Sequence, residues 1–279
     1  MTLTMLGSLL GGIGLFILGM RLMTDGFKHA AGRALRDILA RSTRTPLRGI
    51  LSGALITALV QASAMVTVAT IGFVNAGLMS LRQALTLIYG TNIGTTMTAW
   101  LVAAVGLDVN IQAFALPAIG VGMFLRVLRG ATRSGHLGEA LAGFGLFFSG
   151  LDVLKGAFGA LGQGLGFTAI SGTGLLALVA FVGAGFLLTV LLQSSSAALA
   201  IILTSAAGAV VGLADAAAMV IGANVGTTIT ALLVVLGGTA NAKRVAAAHI
   251  AFNLITGTVA LAILPLMLKL LEGMQGLFG

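Results

Sequence analysis

The chain repeats itself. Set against its own sequence at a shift of 132 residues, Gln61 falls on Gln193 and Ser63 on Ser195. At the same shift Gly90, Asn92, Gly94, Thr95, Thr96 and Thr98 fall on Gly222, Asn224, Gly226, Thr227, Thr228 and Thr230, while Gly53 and Thr57 fall on Gly185 and Thr189. At a shift of 131, Gly12, Gly14, Leu15, Phe16 and Gly19 fall on Gly143, Gly145, Leu146, Phe147 and Gly150. Most matched residues are polar or glycine in an apolar background, so chance is a poor explanation. The sequence therefore reads as two copies of one unit, 1–132 and 133–279.

What the unit can fold into follows from its solvent. Hydrophobic residues make up 58% of the chain and charged residues only 8%, against about 25% charged in a soluble domain. There is too little polar side chain to coat a water-soluble fold of this size, which excludes an ordinary soluble enzyme, a disordered protein and a nucleic-acid binder. A polytopic all-α membrane protein remains. The formal charge of +8 then marks cytoplasmic loops and calls for no nucleic-acid partner. The absence of cysteine removes disulfides, a thiolate nucleophile and a cysteine metal site.

Each unit runs through the same segments. A spanning helix comes first, 5–24 and 138–157, and residues 5–24 read as a retained helix because no cleavage signal follows. In the first unit a basic block, 25–48, reads as an amphipathic helix on the membrane surface. Next is an apolar stretch broken by a polar knot: 47–78 around Gln-Ala-Ser-Ala and 174–212 around Gln-Ser-Ser-Ser. Such a stretch is too long for one crossing of about 20 residues and too short for two plus a turn, so it reads as a re-entrant hairpin with its tip at 61–64 or 193–196. A helix interrupted at 90–96 or 222–228 follows, and a last helix, 111–128 or 245–268, closes the unit.

With the N-terminus outside, 25–48, Arg82, Arg126, Arg129, Arg133, Lys243 and Arg244 fall inside, and only Lys155 and Lys269 fall outside. Three crossings per unit turn the second copy over. The expected architecture is two inverted-topology repeats, each with three spanning helices and one re-entrant helical hairpin, as in secondary transporters.

The chemistry sits at the interruptions. Polar groups in hydrocarbon need partners or ligands, and the first turn of the helix after a hairpin tip has unpaired N–H groups at the positive end of its dipole. Gln61 and Ser63, with Gln193, Ser194, Ser195 and Ser196, would surround a tetrahedral oxyanion with donors. The plainer alternative is that they glue helices together. Gly-Thr-Asn-Ile-Gly-Thr-Thr (90–96) and Gly-Ala-Asn-Val-Gly-Thr-Thr (222–228) are expected to unwind. Their exposed carbonyls, with Asn92, Thr95, Thr96, Asn224, Thr227 and Thr228, would offer oxygens to Na⁺. The alternative for these segments is a Gly-xxx-Gly packing face.

These residues resemble the type II sodium/phosphate cotransporter family: the Gln-Ser-Ser-Ser at 193–196 with its degenerate copy at 61–64, the paired glycine-threonine segments, and Ala-His-Ile-Ala-Phe-Asn at 248–253. The similarity covers nearly the whole chain. It implies a multi-pass protein of the bacterial inner membrane that couples Na⁺ gradients to inorganic phosphate movement by alternating access, with both hairpins at a shared site. Phosphate contacts would come from Gln61, Ser63, Asn92, Gln193, Ser194, Ser195, Ser196 and Asn224. Sodium ions would be held by Gln61, Thr95, Thr96, Gln193, Thr227 and Thr228. Two departures stand out: Ala62 and Ala64 replace serines, and the chain stops at Gly279, where many bacterial members continue into a regulatory domain.

The other polar residues read as structural. His249 and Asn253 suit an interhelical hydrogen bond, with lining of the pathway as the alternative; His29 and His136 fall in loops, Asp152 pairs with Lys155, and Asp108 and Asp215 can cap helices. Phe16, Phe144, Phe147 and Phe148 read as packing. Arg and Lys are absent from both knots, so no fixed cation is expected beside the anion. Competing functions are transport of another oxyanion and a non-transporting membrane scaffold or regulatory subunit. A hydrolase would need a base or metal beside the serines, and the sequence offers neither. Oligomeric state is open, a homodimer included.

Overall fold

The computed structural model describes residues 3–41, 45–106, 112–165 and 174–278. Its order is α1 (Leu3–Arg41), α2 (Pro46–Val60), α3 (Ser63–Asn75), α4 (Leu81–Gly106), α5 (Gln112–Arg129), α6 (Arg133–Leu165), α7 (Gly174–Leu192), α8 (Ser195–Ala207), α9 (Leu213–Gly226), α10 (Thr228–Val234) and α11 (Ala240–Phe278). Helix is the expected answer to an apolar solvent, since each segment then satisfies its own backbone. Among the described residues, five helical stretches are long and apolar enough to cross a membrane: Leu3–Gly32, Arg133–Ala160, Gly174–Leu192, Leu213–Val234 and Ala240–Leu271.

The first helix is longer than its sequence suggested. Its apolar span runs to Gly32, where the backbone turns sharply (φ 49°, ψ −128°), instead of ending at residue 24. His29 therefore lies on a helix, as does His136 at the start of α6, and neither is in a loop. Asp108 lies outside the described residues, as do the side chains over 33–44 that carry the amphipathic reading. Asp215 sits in the first turn of α9 but does not cap it: the N-cap is Gly212 and no side chain makes a cap hydrogen bond there.

Glycines set how the helices meet. A Cβ at Gly12 would press on Leu154, at Gly19 on the backbone of Phe147, and at Gly26 on that of Ala140; from the other side, Gly150 abuts Phe16 and Gly143 abuts Met23. Numbers fall along α6 as they rise along α1, so the two helices are antiparallel. Glycines seven residues apart leave a groove in which the backbones nearly touch. The pairs also swap under the 131-residue shift: Gly19 meets Phe147, and their equivalents Gly150 and Phe16 meet each other. Phe16 and Phe147 are buried at this seam with ring centroids 4.8 Å apart, whereas Phe144 keeps 38% of its surface exposed.

The same device recurs between α2 and α4. A Cβ at Gly53 would overlap the Leu87 carbonyl, at Gly90 the Ile50 carbonyl, and at Gly94 the Ala54 carbonyl. Between α7 and α9 the equivalent Gly185 meets Met219, Gly222 meets Val182 and Gly226 meets Phe186. This corrects the expectation that 90–96 unwinds. The glycines form a packing face, and α4 is continuous through the segment. In the second copy the break is confined to Thr227, between α9 and α10.

The buried clusters draw on both halves of the chain. One joins Ile56, Leu87 and Ile88 to Val235, Val245 and Ala246; another joins Phe16 and Val102 to Leu151, Leu154 and Ala197.

Candidate functional site

Both knots have the same backbone. Gln61 ends α2 in the left-handed region (φ 54°), and Gln193 follows α7 at φ 52°. An L residue other than glycine is uncomfortable there. Each glutamine folds its side chain back onto the helix it terminates: Gln61 Nε2 donates to the Ala58 carbonyl at 2.5 Å, and Gln193 Nε2 to that of Val190 at 2.6 Å. The amide thus satisfies one carbonyl that a helix end leaves open. Gln61 is buried at 4% exposure, whereas Gln193 is exposed.

The helices that follow differ at their caps. Ser194 caps α8 by accepting the Ala197 N–H at 3.2 Å. Its counterpart Ala62 has no oxygen to offer, so the first turn of α3 carries no side-chain cap. The unpaired N–H groups of Ser63, Ala64 and Met65 keep their charge for a ligand.

The two tips meet. Thr98 Oγ1 donates to Gln61 Oε1 at 2.5 Å and lies 3.1 Å from Ser196 Oγ, which in turn reaches the Gln61 carbonyl at 3.4 Å. All three residues are buried. This cluster fixes tip to tip through α4, and Thr98 was visible in the sequence only as one more matched threonine.

Beside it lies a cavity of about 280 Å³ lined by both knots, 61–65 and 192–197, and by one face of α1. Gln61, Ser63, Gln193, Ser194, Ser195 and Ser196 all reach it, together with Arg21, Thr24 and Asp25. The knots themselves hold no Arg or Lys, but Arg21 reaches the cavity from a different helix, one turn before Asp25. Thr24 Oγ1 donates to the Val60 carbonyl at 3.0 Å, which holds this face against the end of α2. The Ser63 and Ser195 hydroxyls have no hydrogen-bond partner among the described residues and are free to donate.

A second, very small cavity of about 10 Å³ lies behind Ser63 and Ala64. It has room for roughly one water-sized sphere. Asn92, Thr95, Asn224 and Thr227 converge here with Thr67, Thr91, Thr230 and His249. The hydroxyl hydrogens of Thr91, Thr95 and Thr227 go to carbonyls of their own helices, at 2.7, 2.9 and 2.6 Å. The Asn92 amide nitrogen likewise donates to the Ile88 carbonyl at 3.2 Å. The three hydroxyls can then only accept, and Asn92 adds its amide oxygen as a further acceptor, a set that suits a cation better than an anion.

Not every expected residue converges. Thr96 lines a larger, mostly apolar cavity of about 410 Å³ with Thr95, Asn92, Ser195 and Asn224. Thr228 is buried with its hydroxyl on the Val225 carbonyl at 2.7 Å and lines none of these three cavities. Gln61 and Gln193 belong to the first cavity and do not line the small one. The interhelical bond expected of His249 and Asn253 is replaced by one within α11, from Asn253 Nδ2 to the His249 carbonyl at 2.9 Å. His249 Nδ1 is buried without a hydrogen-bond partner, and the side chain lies at the small cavity.

The pattern of the Na⁺/Pi-cotransporter family matches residues 15–156 and 167–276, nearly the whole chain. The chain belongs to the Na⁺/Pi-cotransporter family. YqeW of Bacillus subtilis (strain 168), an uncharacterized protein, is 30% identical over 86% of this chain and 76% of its own length. YjbB of Escherichia coli (strain K12), provisionally named an inorganic phosphate export protein, is 32% identical over 95% of this chain and 48% of its own. Sodium-dependent phosphate transport protein 2A of Rattus norvegicus is 33% identical over 34% of this chain and 15% of its own. The chain thus spans about half the length of YjbB. No solved structure matches it. The family is one of transporters.

Proposed function

We propose that the protein carries inorganic phosphate across a bacterial inner membrane, coupled to Na⁺ and working by alternating access. The observation that carries this reading is the pair of adjoining cavities with opposite hydrogen-bonding character. The larger is rich in donors, the Arg21 guanidinium, the Ser63 and Ser195 hydroxyls and the first-turn N–H groups of α3, with the Asp25 carboxylate one turn from Arg21 as the acceptor among them. Phosphate, with four oxygens and one to two negative charges, needs that surplus of donors to leave water. The smaller offers acceptors from Thr91, Thr95, Thr227 and Asn92 around a space of single-ion size. Ser63 and Ala64 line both cavities, so a cation in one would lower the cost of the anion in the other, which is coupling in physical terms.

Inverted repeats provide the alternation. The antiparallel α1–α6 seam, with its swapped equivalent pairs, supports a two-fold relation between the copies. Asn75 Oδ1, at the end of α3, accepts the Thr239 N–H at 2.8 Å, close to Lys243 and Arg244. That contact supports a reading in which the end of the first hairpin lies with the basic residues on the cytoplasmic side. The hairpins α2–α3 and α7–α8 would then enter from opposite faces, with their tips meeting between.

The test is phosphate uptake by the purified chain in liposomes under an imposed inward Na⁺ gradient. Accumulation that collapses when K⁺ replaces Na⁺ supports the reading. Phosphate movement driven equally well by a proton gradient without Na⁺ overturns the coupling, and faster movement of sulfate than phosphate overturns the substrate.

A further inference from the structure

Away from the cavities, His29 of α1 and His136 and Glu139 of α6 bring one potential ligand atom each to within 4.8 Å of one another. The two imidazoles adjoin with ring centroids 4.8 Å apart and planes tilted by 41°. His136 Nδ1 is 3.3 Å from Glu139 Oε2, and Arg126 Nε holds the same oxygen at 3.1 Å from α5. Three helices therefore converge on this point, and transport as proposed above uses none of these side chains.

We propose that His29, His136 and Glu139 form a divalent transition-metal site, best suited to Zn²⁺, that clamps α1 to α6. Two imidazoles and one carboxylate are a ligand set Zn²⁺ takes with a fourth, open position for water, and imidazole selects against Mg²⁺ and Ca²⁺. Bonds of about 2.0–2.2 Å to a tetrahedral ion put neighbouring ligand atoms about 3.3 Å apart. His136 and Glu139 already stand at that spacing, and His29, which is exposed, needs only a small rotation to join them. Arg126 fixes the Glu139 carboxylate through Oε2, the same oxygen that stands 3.3 Å from His136 Nδ1, as a supporting group does in metal sites. The ligands stand on rigid elements: a Cβ at Gly26 would overlap the Ala140 backbone and crowd the His136 carbonyl, so the helices cannot drift apart without breaking the seam.

The full-length chain in detergent, stripped with a chelator, is titrated with Zn²⁺ by calorimetry. One ion per chain is expected at micromolar affinity, no heat with Mg²⁺, and a rise in Tm on adding Zn²⁺. His29→Ala removes an exposed ligand and should weaken Zn²⁺ at least tenfold, and His136→Ala should do the same. Co²⁺ serves as a second probe, giving the visible absorption of a four-coordinate ion in the parent and not in either variant. Unchanged Zn²⁺ affinity in both folded variants, or no binding by the parent, overturns the site.

Discussion

At the scale of single residues, the two cavities make separable demands. Losing a hydrogen bond to a charged ligand costs about 1.5–3 kcal/mol, or about one to two decades in affinity. Ser63→Ala and Ser195→Ala are expected to weaken phosphate binding by that amount, measured by phosphate-dependent uptake at saturating Na⁺, while Ser52→Ala, outside the knots, leaves it unchanged. Arg21→Gln should weaken phosphate as well, most at low ionic strength where its charge is least screened. Thr227→Val keeps the shape and removes an acceptor, so it should raise the Na⁺ concentration for half-maximal uptake and change phosphate affinity at saturating Na⁺ much less. If Thr227→Val shifts phosphate and Na⁺ alike, the two cavities are not chemically distinct. The knots were legible in the sequence because glutamine and serine stand out where everything around them is apolar. Arg21 was not, since it lies 40 residues before Gln61 and only packing brings α1 to the tips. Nor was the accepting character of Thr91 and Thr95, which depends on where each hydroxyl hydrogen points.

At the scale of elements, the glycines decide which helices travel together. Gly222→Ala would drive a methyl into the Val182 carbonyl. Overpacking of this kind costs about 1–3 kcal/mol, and with backbone on the far side little can yield. Gly72, inside α3, has open space where a Cβ would go, so Gly72→Ala should be neutral or gain about 0.5–1 kcal/mol from helix propensity. Thermal unfolding in detergent separates the two, and a Gly222→Ala variant as stable as the parent would remove the seam from the account. The sequence could not choose between an unwound ion site and a packing face for the Gly-x-Asn-x-Gly-Thr-Thr segments, because both use glycine at this spacing. The structure uses both faces of one helix: glycines turn toward the hairpin arm, and asparagine and threonine turn toward the small cavity. The reading of His29 and His136 as loop residues failed for a related reason. Both helices run past the apolar spans by which they were bounded: α1 continues beyond residue 24 through His29, and α6 begins at Arg133 instead of residue 138.

At the scale of the whole molecule, the inverted arrangement makes a claim about sides. The chain has no native cysteine, so single introduced cysteines report without background. Leu78, just after the first hairpin, and Leu213, just after the second, are 70% and 54% exposed. Leu78→Cys should react with an impermeant maleimide only from the cytoplasmic side and Leu213→Cys only from the opposite side. Labelling of both from one side would refute the inverted repeats, whatever the transport assays give. The doubling itself was plain from the sequence, while the way the copies share their cores was not. Burial of Val245 and Ala246 against Leu87 and Ile88 has no periodic signature.

The α1–α6 seam has a mechanical consequence. Two antiparallel helices meeting backbone to backbone through heptad-spaced glycines have no side-chain cushion to slide on, and any shift along the axis would drive glycine grooves onto Phe16 and Phe147. Such a seam behaves as a keel: it resists shear and offers a fixed axis against which lighter parts swing. The arms of the two hairpins, each riding with α4 or α9 on its own glycine track, are the parts free to tilt. Under the alternating access proposed above, opening one face of the membrane would close the other through the Gln61–Thr98–Ser196 linkage, much as the two ends of a lever move about one fulcrum.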